Sequence, residues 1–169
     1  MSLRRESPMR GRRLRLGEAL FERFAMTRVG YQFMLHVAPS LDKVVIPRTN
    51  GRVSSAGIDK VGLVTSTGAK SGRPRTHPLA LFAADGGLLA IGSNYGRPAH
   101  PAWSANLLEH PECTVEFVGP PRQYRAELLT GDARAAAWAN AVDYYAGFET
   151  YRTKCAPREI RIFLLRPTG

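Results

Sequence analysis

No uncharged apolar run in this chain of 169 residues reaches the roughly 18 that a membrane-spanning helix requires. The longest, residues 29–41, is interrupted by Gln32, His36, Pro39 and Ser40, so no spanning helix is expected. The basic N-terminus is not followed by a compact apolar segment and a small-residue cleavage site, so no secretory leader is expected and the chain is placed in the cytoplasm. Cysteine is equally scarce. Cys113 and Cys155 stand alone and far apart, which excludes a disulfide scaffold and the paired spacing of a zinc site; both are expected as reduced thiols and no metal is expected. No Ser-His-Asp set and no pair of catalytic carboxylates stands out.

Acidic residues are few: 14 Asp and Glu against 24 Lys and Arg, a formal net charge of +10. An acidic partner follows from that excess, and its position narrows the choice. Arg4, Arg5, Arg10, Arg12, Arg13 and Arg15 lie in the first 16 residues with only Glu6 against them, so half of the excess is a tail. The other basic residues are not interleaved with stacking aromatics and no recognition motif is present, so nucleic acid is not expected as a partner. With 44% hydrophobic and 22% charged residues, the rest is ordinary globular material of one-domain size.

Along the chain, Ala19, Leu20, Phe24, Met26, Val29, Phe33, Met34 and Val37 recur at helical spacing, which predicts an amphipathic helix over 18–37 with Pro39 helping to end it. A second apolar segment covers 41–46, and 48–57 is rich in turn formers and reads as a connection. Strand-like runs follow at 61–67, 76–84 and 88–93, the last two joined by the hairpin signal Asp85-Gly86-Gly87. A short helix is predicted over 102–109, strands over 113–118 and 123–129, and a helix capped near Thr130 or Asp132 and running to Tyr145. A last strand covers 160–165. Six strands, mostly hairpin-connected, define an α+β, mainly β class: a small antiparallel barrel with peripheral helices. The expected organisation is a basic tail (1–16), an N-terminal helix and connection (17–57) and the barrel (58–169).

Three segments can carry chemistry. The turn at 65–75, TSTGAKSGRPR, concentrates glycines, hydroxyls and three cations between two strands, the composition of an anion cradle. Gly68 and Gly72 would let backbone N–H groups converge on an oxyanion, Lys70 would add a point charge and Arg75 a bidentate grip. Its spacing is not that of a Walker loop, and on charge alone a solvated basic turn is the favoured explanation. The second segment, 93–106, empties a strand into a loop that re-enters a helix. Taken singly, Trp103 reads as core, Asn106 as a capping residue and His100 as a loop conformer. The third, 144–152, is an aromatic cluster whose plain explanation is hydrophobic packing.

In combination and in this order, LVTSTGAKSGRPRTHPL (63–79), GSNYG (92–96), HPAWSANL (100–107), YAGFETY (145–151) and REI (158–160) resemble the deazaflavin-dependent nitroreductase family of the split β-barrel flavoproteins. The resemblance implies a redox enzyme using coenzyme F420, a hydride carrier with a phosphodiester and an oligoglutamate tail, with flavin mononucleotide as the less favoured cofactor. Lys70 and Arg75 would then hold the phosphate and acidic tail, with Thr67, Gly68 and Arg73 in the same groove. Pro78 and Leu79 would flank the deazaflavin, and Ser93, Asn94, Tyr95 and Gly96 with Trp103 and Asn106 would position its ring. Ser93, Tyr145 and Tyr151 match the positions that face the acceptor and would orient it or supply the proton. A buried charged hydrogen bond contributes about 1.5–3 kcal/mol, so Lys70→Ala is expected to weaken cofactor binding about tenfold or more.

Two positions depart from the family pattern. Phe148 replaces a tyrosine of the nitroimidazole-reducing members, and Tyr95 stands where a glycine is frequent. The expected acceptor is therefore a quinone or another conjugated molecule such as an activated alkene ahead of a nitroaromatic. The alternative reading is a non-catalytic deazaflavin- or FMN-binding protein at a membrane surface. The basic tail and the 18–37 helix would make that contact, at the inner face of the cell membrane, although packing of the same helix on the barrel is the more expected arrangement. Pairing into a homodimer is implied only by analogy with other split barrels.

Overall fold

A computed structural model of the chain describes residues 27–49, 61–117 and 119–169. The basic tail, the first half of the predicted N-terminal helix and the 50–57 connection lie outside the described residues. Six strands form a closed antiparallel barrel: β1 (Val61–Thr67), β2 (Pro74–Ala84), β3 (Gly87–Ile91), β4 (Glu112–Glu116), β5 (Arg122–Leu128) and β6 (Ile162–Pro167), in the order β1-β2-β3-β6-β5-β4. The β2–β3 hairpin turns at Asp85-Gly86, where Gly86 takes φ +79°, a conformation glycine adopts without a Cβ penalty. The pairing of β1 with β2 runs unbroken from Val61↔Ala80 to Thr67↔Pro74, so alternate residues point into and out of the barrel.

Inward residues make one core: Val64, Leu81, Leu88, Ala90, Cys113, Val115, Ala126, Phe163 and Leu165, capped by Trp103 and Leu107 of α3 (Ala102–Glu109). Trp103 is 6% exposed, with its ring centroid 5.7 Å from that of Phe163. Outward residues make a second core. Phe82, Leu89, Ile162 and Leu164 pack beneath α4 (Gly131–Tyr144) and α5 (Gly147–Cys155), joined by Trp138, Ala141 and Phe148. Strands β3 and β6 and the first half of β1 are thus apolar on both faces and read as short continuous runs, whereas β4 and β5 keep a polar outer face.

The N-terminal helical region departs from expectation. Instead of one helix through Val37, the Thr27 side chain accepts the Gly30 N–H and caps α1 (Arg28–His36), a turn follows at Val37, and α2 (Ala38–Thr49) begins. Pro39, expected to end a helix, sits in the first turn of the next one, where its missing N–H has no intrahelical partner to lose. Arg48 and Thr49, read as connection, still belong to α2. Ile46 packs with Val61 and Leu63, so α2 covers the outer face of β1. Helix α5 was not anticipated at all: GFETYRTKC has no apolar period, and its helix follows from docking Phe148 and Cys155 into the outer core.

Candidate active site

The basic turn between β1 and β2 is tightly closed. Gly68 N–H donates to Arg73 O at 2.9 Å, and Ser71 N–H and Gly72 N–H both donate to Gly68 O at 3.1 and 2.8 Å. Ala69 N–H donates to Asn106 Oδ1 at 3.0 Å. These donors are all used within the protein, so the expectation that Gly68 and Gly72 expose a ring of N–H groups is corrected: an anion here meets side chains. Gly72, at φ +63°, serves the turn's conformation, and a Cβ at Gly68 would lie 2.6 Å from Ser71 Oγ. Lys70, Arg73 and Arg75 are exposed around it, three cations with no described carboxylate bridged to them, a composition that fits a phosphate and a run of glutamates.

Asn106 is 7% exposed, and its Nδ2 donates to Ser66 Oγ at 3.2 Å. It pins the basic turn to β1 and α3 from beneath rather than facing a ligand. Trp103 likewise lies wholly in the barrel core. Pro78 and Leu79, expected to act together, point to opposite faces: Leu79 packs on the interior core, while Pro78 shares the outer face with Thr65, Thr67 and Thr76. On that face Thr65 Oγ1 and Thr76 Oγ1 are 2.8 Å apart.

The loop after β3 is left-handed over three successive residues, Asn94 (φ +49°), Tyr95 (φ +54°) and Gly96 (φ +76°). A glycine at position 95 would suit this backbone without strain; the tyrosine is held there by its surroundings. Gly96 lies against α5, where a Cβ would come within 3.2 Å of the Tyr151 backbone. Asn94 Nδ2 donates to Ala99 O at 2.8 Å, and the Tyr95 ring meets Tyr151 edge-on at 6.1 Å. Across α5, Tyr145 Oη and Tyr151 Oη are 3.3 Å apart. The structure therefore brings Ser93, Asn94, Tyr95 and Gly96 together with Tyr145 and Tyr151. Phe148 is 6% exposed, its ring among Phe82, Trp138, Tyr145 and Tyr151, so the departure from the family's tyrosine falls inside the packed outer core.

Sequence reasoning gave no role to Arg158, which quoted motif REI contains but does not explain. Its guanidinium donates to Gly92 O (3.2 Å), Ser93 O (2.7 Å) and Arg97 O (3.1 Å) and lies 3.5 Å from His100 Nδ1. Burial, then the charges of Arg161 and Arg158, hold the His100 pKa below its ordinary 6.5, so the ring is neutral at pH 7 and Nδ1 can accept. The Cys113 thiol is pushed up to about 11 by burial and by Glu112, which removes it as a nucleophile. Among the described residues no His, Cys, Asp and Glu cluster could hold a metal.

The fold is a closed six-stranded barrel, with a cation-ringed turn at one strand pair that suits an anionic ligand and a left-handed loop beside paired tyrosines; its class, a split-barrel oxidoreductase, comes from the proteins it matches. Residues 41–167 match the sequence profile of the F420H(2)-dependent quinone reductase family, to which this chain belongs. The family is one of oxidoreductases, with coenzyme F420 as cofactor and a quinone as acceptor. One Mycobacterium tuberculosis protein described as an F420H(2)-dependent quinone reductase is 30% identical over 98 residues, 58% of this chain and 82% of its own. A second one is 39% identical over 77 residues, and there the match spans 50% of the relative's length. Among solved structures, an F420H2-dependent reductase superposes with TM-score 0.56 at 32% identity, over 63% of this chain and 93% of that one. A further solved chain, described only as a domain-swapped dimer, superposes with TM-score 0.59 at 27% identity, over 83% of this chain and 100% of that one.

Proposed function

We propose that the outer face of β1 and β2, the loop 92–97, Tyr145 at the end of α4 and Tyr151 of α5 form one site in which a quinone is reduced at the expense of F420H2. The observation that carries this reading is the left-handed loop packed directly on Tyr151, with the Tyr145 hydroxyl 3.3 Å from that of Tyr151. F420H2 supplies the hydride. Lys70, Arg73 and Arg75 hold its phosphate and glutamates, Thr67, Gly68 and Pro78 border the groove, and Ser93, Asn94, Tyr95 and Gly96 orient its ring. Leu79, Trp103 and Asn106 act from behind, by fixing the strand, the barrel plug and the basic turn. Ser93 and the Tyr145–Tyr151 pair orient the acceptor and hold the proton that completes reduction; a proton given up by one hydroxyl is replaced through the other, which water reprotonates.

The acceptor class is a quinone or another conjugated molecule ahead of nitroaromatics, because Phe148 places no hydroxyl in the packed cluster where the nitroimidazole-reducing relatives carry one. The test is a fluorescence titration of the purified chain with F420 beside one with flavin mononucleotide, followed by anaerobic mixing of F420H2 with menadione. F420 binding with acceptor-dependent reoxidation is expected. Binding without turnover would make the chain a carrier, and binding of flavin mononucleotide alone would overturn the assignment of this groove.

A membrane-surface position for the same enzyme has its own support. On α2 the Ile46 side faces the barrel, while Leu41 and Val44 are 45% and 50% exposed, and Val37 in the turn before it and Val29 of α1 are 44% and 71% exposed. With the arginine-rich first 16 residues, this apolar row suits a peripheral contact with anionic lipid, where a membrane quinone would be met. Self-association into a dimer is the competing use of the row.

A further inference from the structure

Three consecutive left-handed residues, two of them not glycine, are a costly backbone, since each non-glycine residue there is disfavoured by about 1–2 kcal/mol. Such a loop persists only where its neighbours hold it, and the hydrogen bonds show what does. The carbonyls of Gly92 and Ser93 at the loop's entry and of Arg97 at its exit all accept from the single guanidinium of Arg158. The loop's own bonds, Gly96 N–H to Ser93 O and Arg97 N–H to Asn94 O, close inside that frame. Arg158 is itself fixed from behind. Its N–H donates to Cys155 O at 2.9 Å, and the Cys155 thiol, 2% exposed, donates back to Arg158 O at 3.4 Å. Cys155 ends α5, the helix that carries Tyr151, so one short segment ties the loop to the tyrosine pair.

We propose that Arg158 is a positioning residue for hydride transfer: its planar, multi-donor guanidinium sets the distance between the loop and Tyr151 of α5, and with it the Tyr145–Tyr151 pair. This rests on the reading of loop 92–97 as the part of the site that orients the deazaflavin. Lysine cannot substitute, because an ammonium presents its donors from one point and cannot span carbonyls at both ends of a loop. His100, neutral and beside the guanidinium, completes the clamp.

The experiment uses the full chain with Arg158→Lys and Arg158→Ala, and has two readouts. Amide hydrogen exchange without cofactor is expected to accelerate at least tenfold at Gly96 and Arg97 in Arg158→Ala, with the amides of β1 and β6 unchanged. With F420H2 and menadione, kcat is expected to fall at least tenfold in both variants, and free guanidinium in the tens of millimolar to restore part of the Arg158→Ala rate while leaving the wild type unaffected. Unchanged exchange at Gly96 and Arg97 would overturn the clamp. Loosened amides with native kcat would overturn its catalytic consequence. Should Arg158→Ala fail to fold, Arg158→Lys carries the test: native kcat in it refutes the need for a guanidinium. A wild-type chain that binds no F420 would instead bring down the reading of the groove, and this inference with it, a result separable from the others because it needs no variant.

Discussion

At the scale of single residues, exposure decides what a charge contributes. The sequence suggested that Lys70 makes a buried charged hydrogen bond and that its loss would cost about tenfold in affinity. In the structure Lys70 is exposed, as are Arg73 and Arg75, and exposed ion pairs contribute about 0.2–1 kcal/mol each. Lys70→Ala is therefore expected to weaken F420 binding only about two- to fivefold, the loss shrinking further as salt is raised, whereas removing all three cations should cost tenfold or more. Titrations at low and high salt check this; a hundredfold loss from Lys70 alone would mean that the cofactor buries it. His100 gives a pH prediction. Its folded-state pKa is depressed below 6.5, so the stability it contributes is present above pH 6.5 and is lost as pH falls toward the folded pKa, where the unfolded chain takes up the proton first. The wild-type Tm should drop more steeply than that of His100→Asn as pH falls from 7 to 5. Parallel profiles would show that the ring protonates freely in place.

Elements show how far local sequence reaches. Strands β1, β3 and β6 and helix α3 were legible because each is a short, largely apolar run bounded by turn residues; β4 and β5 were legible as alternating stretches around Gly119-Pro120-Pro121, and Asp85-Gly86-Gly87 announces the β2–β3 hairpin. Helix α5 and the break at Val37 were not, because neither follows from period: α5 is helical through two buried anchors, Phe148 and Cys155, and the α1–α2 break is set by packing of Ala38 and Ile46 on the barrel side. The members of the site were legible only as a list. That Asn106 works through the backbone of Ala69 and that Arg158 frames a left-handed loop depend on pairings 37 and 66 residues apart in the chain, which no local pattern encodes, whereas the divergence of Pro78 and Leu79 is simple strand alternation. Asn106 tests this at the level of an element. Asn106→Ala strands the Ala69 N–H and Ser66 Oγ, so stability should fall by about 1–3 kcal/mol, and F420 affinity should fall with it although the side chain faces no ligand. Ser66→Ala leaves the Ala69 bond in place and should weaken affinity less. Equal affinities in all three proteins, from the same titration, would detach the basic turn's shape from cofactor binding.

For the molecule as a whole, the question is where it works. Among the described residues no helix is long and apolar enough to cross a membrane, and the membrane contact proposed above is a surface one. Val37, Leu41 and Val44 are each about half exposed, and full burial of such side chains would gain about 1.5–3 kcal/mol apiece. Half-burial of three therefore supplies roughly 3–4 kcal/mol, too little alone to hold a protein on a bilayer. The arginines of the first 16 residues add about 1 kcal/mol each where they reach an anionic surface, so the two signals together suffice and either alone does not. Co-sedimentation with phosphatidylglycerol vesicles should accordingly be lost in Leu41→Asp/Val44→Asp, lost again on removal of residues 1–16, and weakened by salt in the wild type. Menadione reduction in solution should be unaffected by the Leu41→Asp/Val44→Asp pair, because those side chains lie on the side of α2 away from the barrel. If the double variant sediments as the wild type does, the apolar row serves another surface, and a drop from dimer to monomer in that variant would identify it as the face between two copies of the chain.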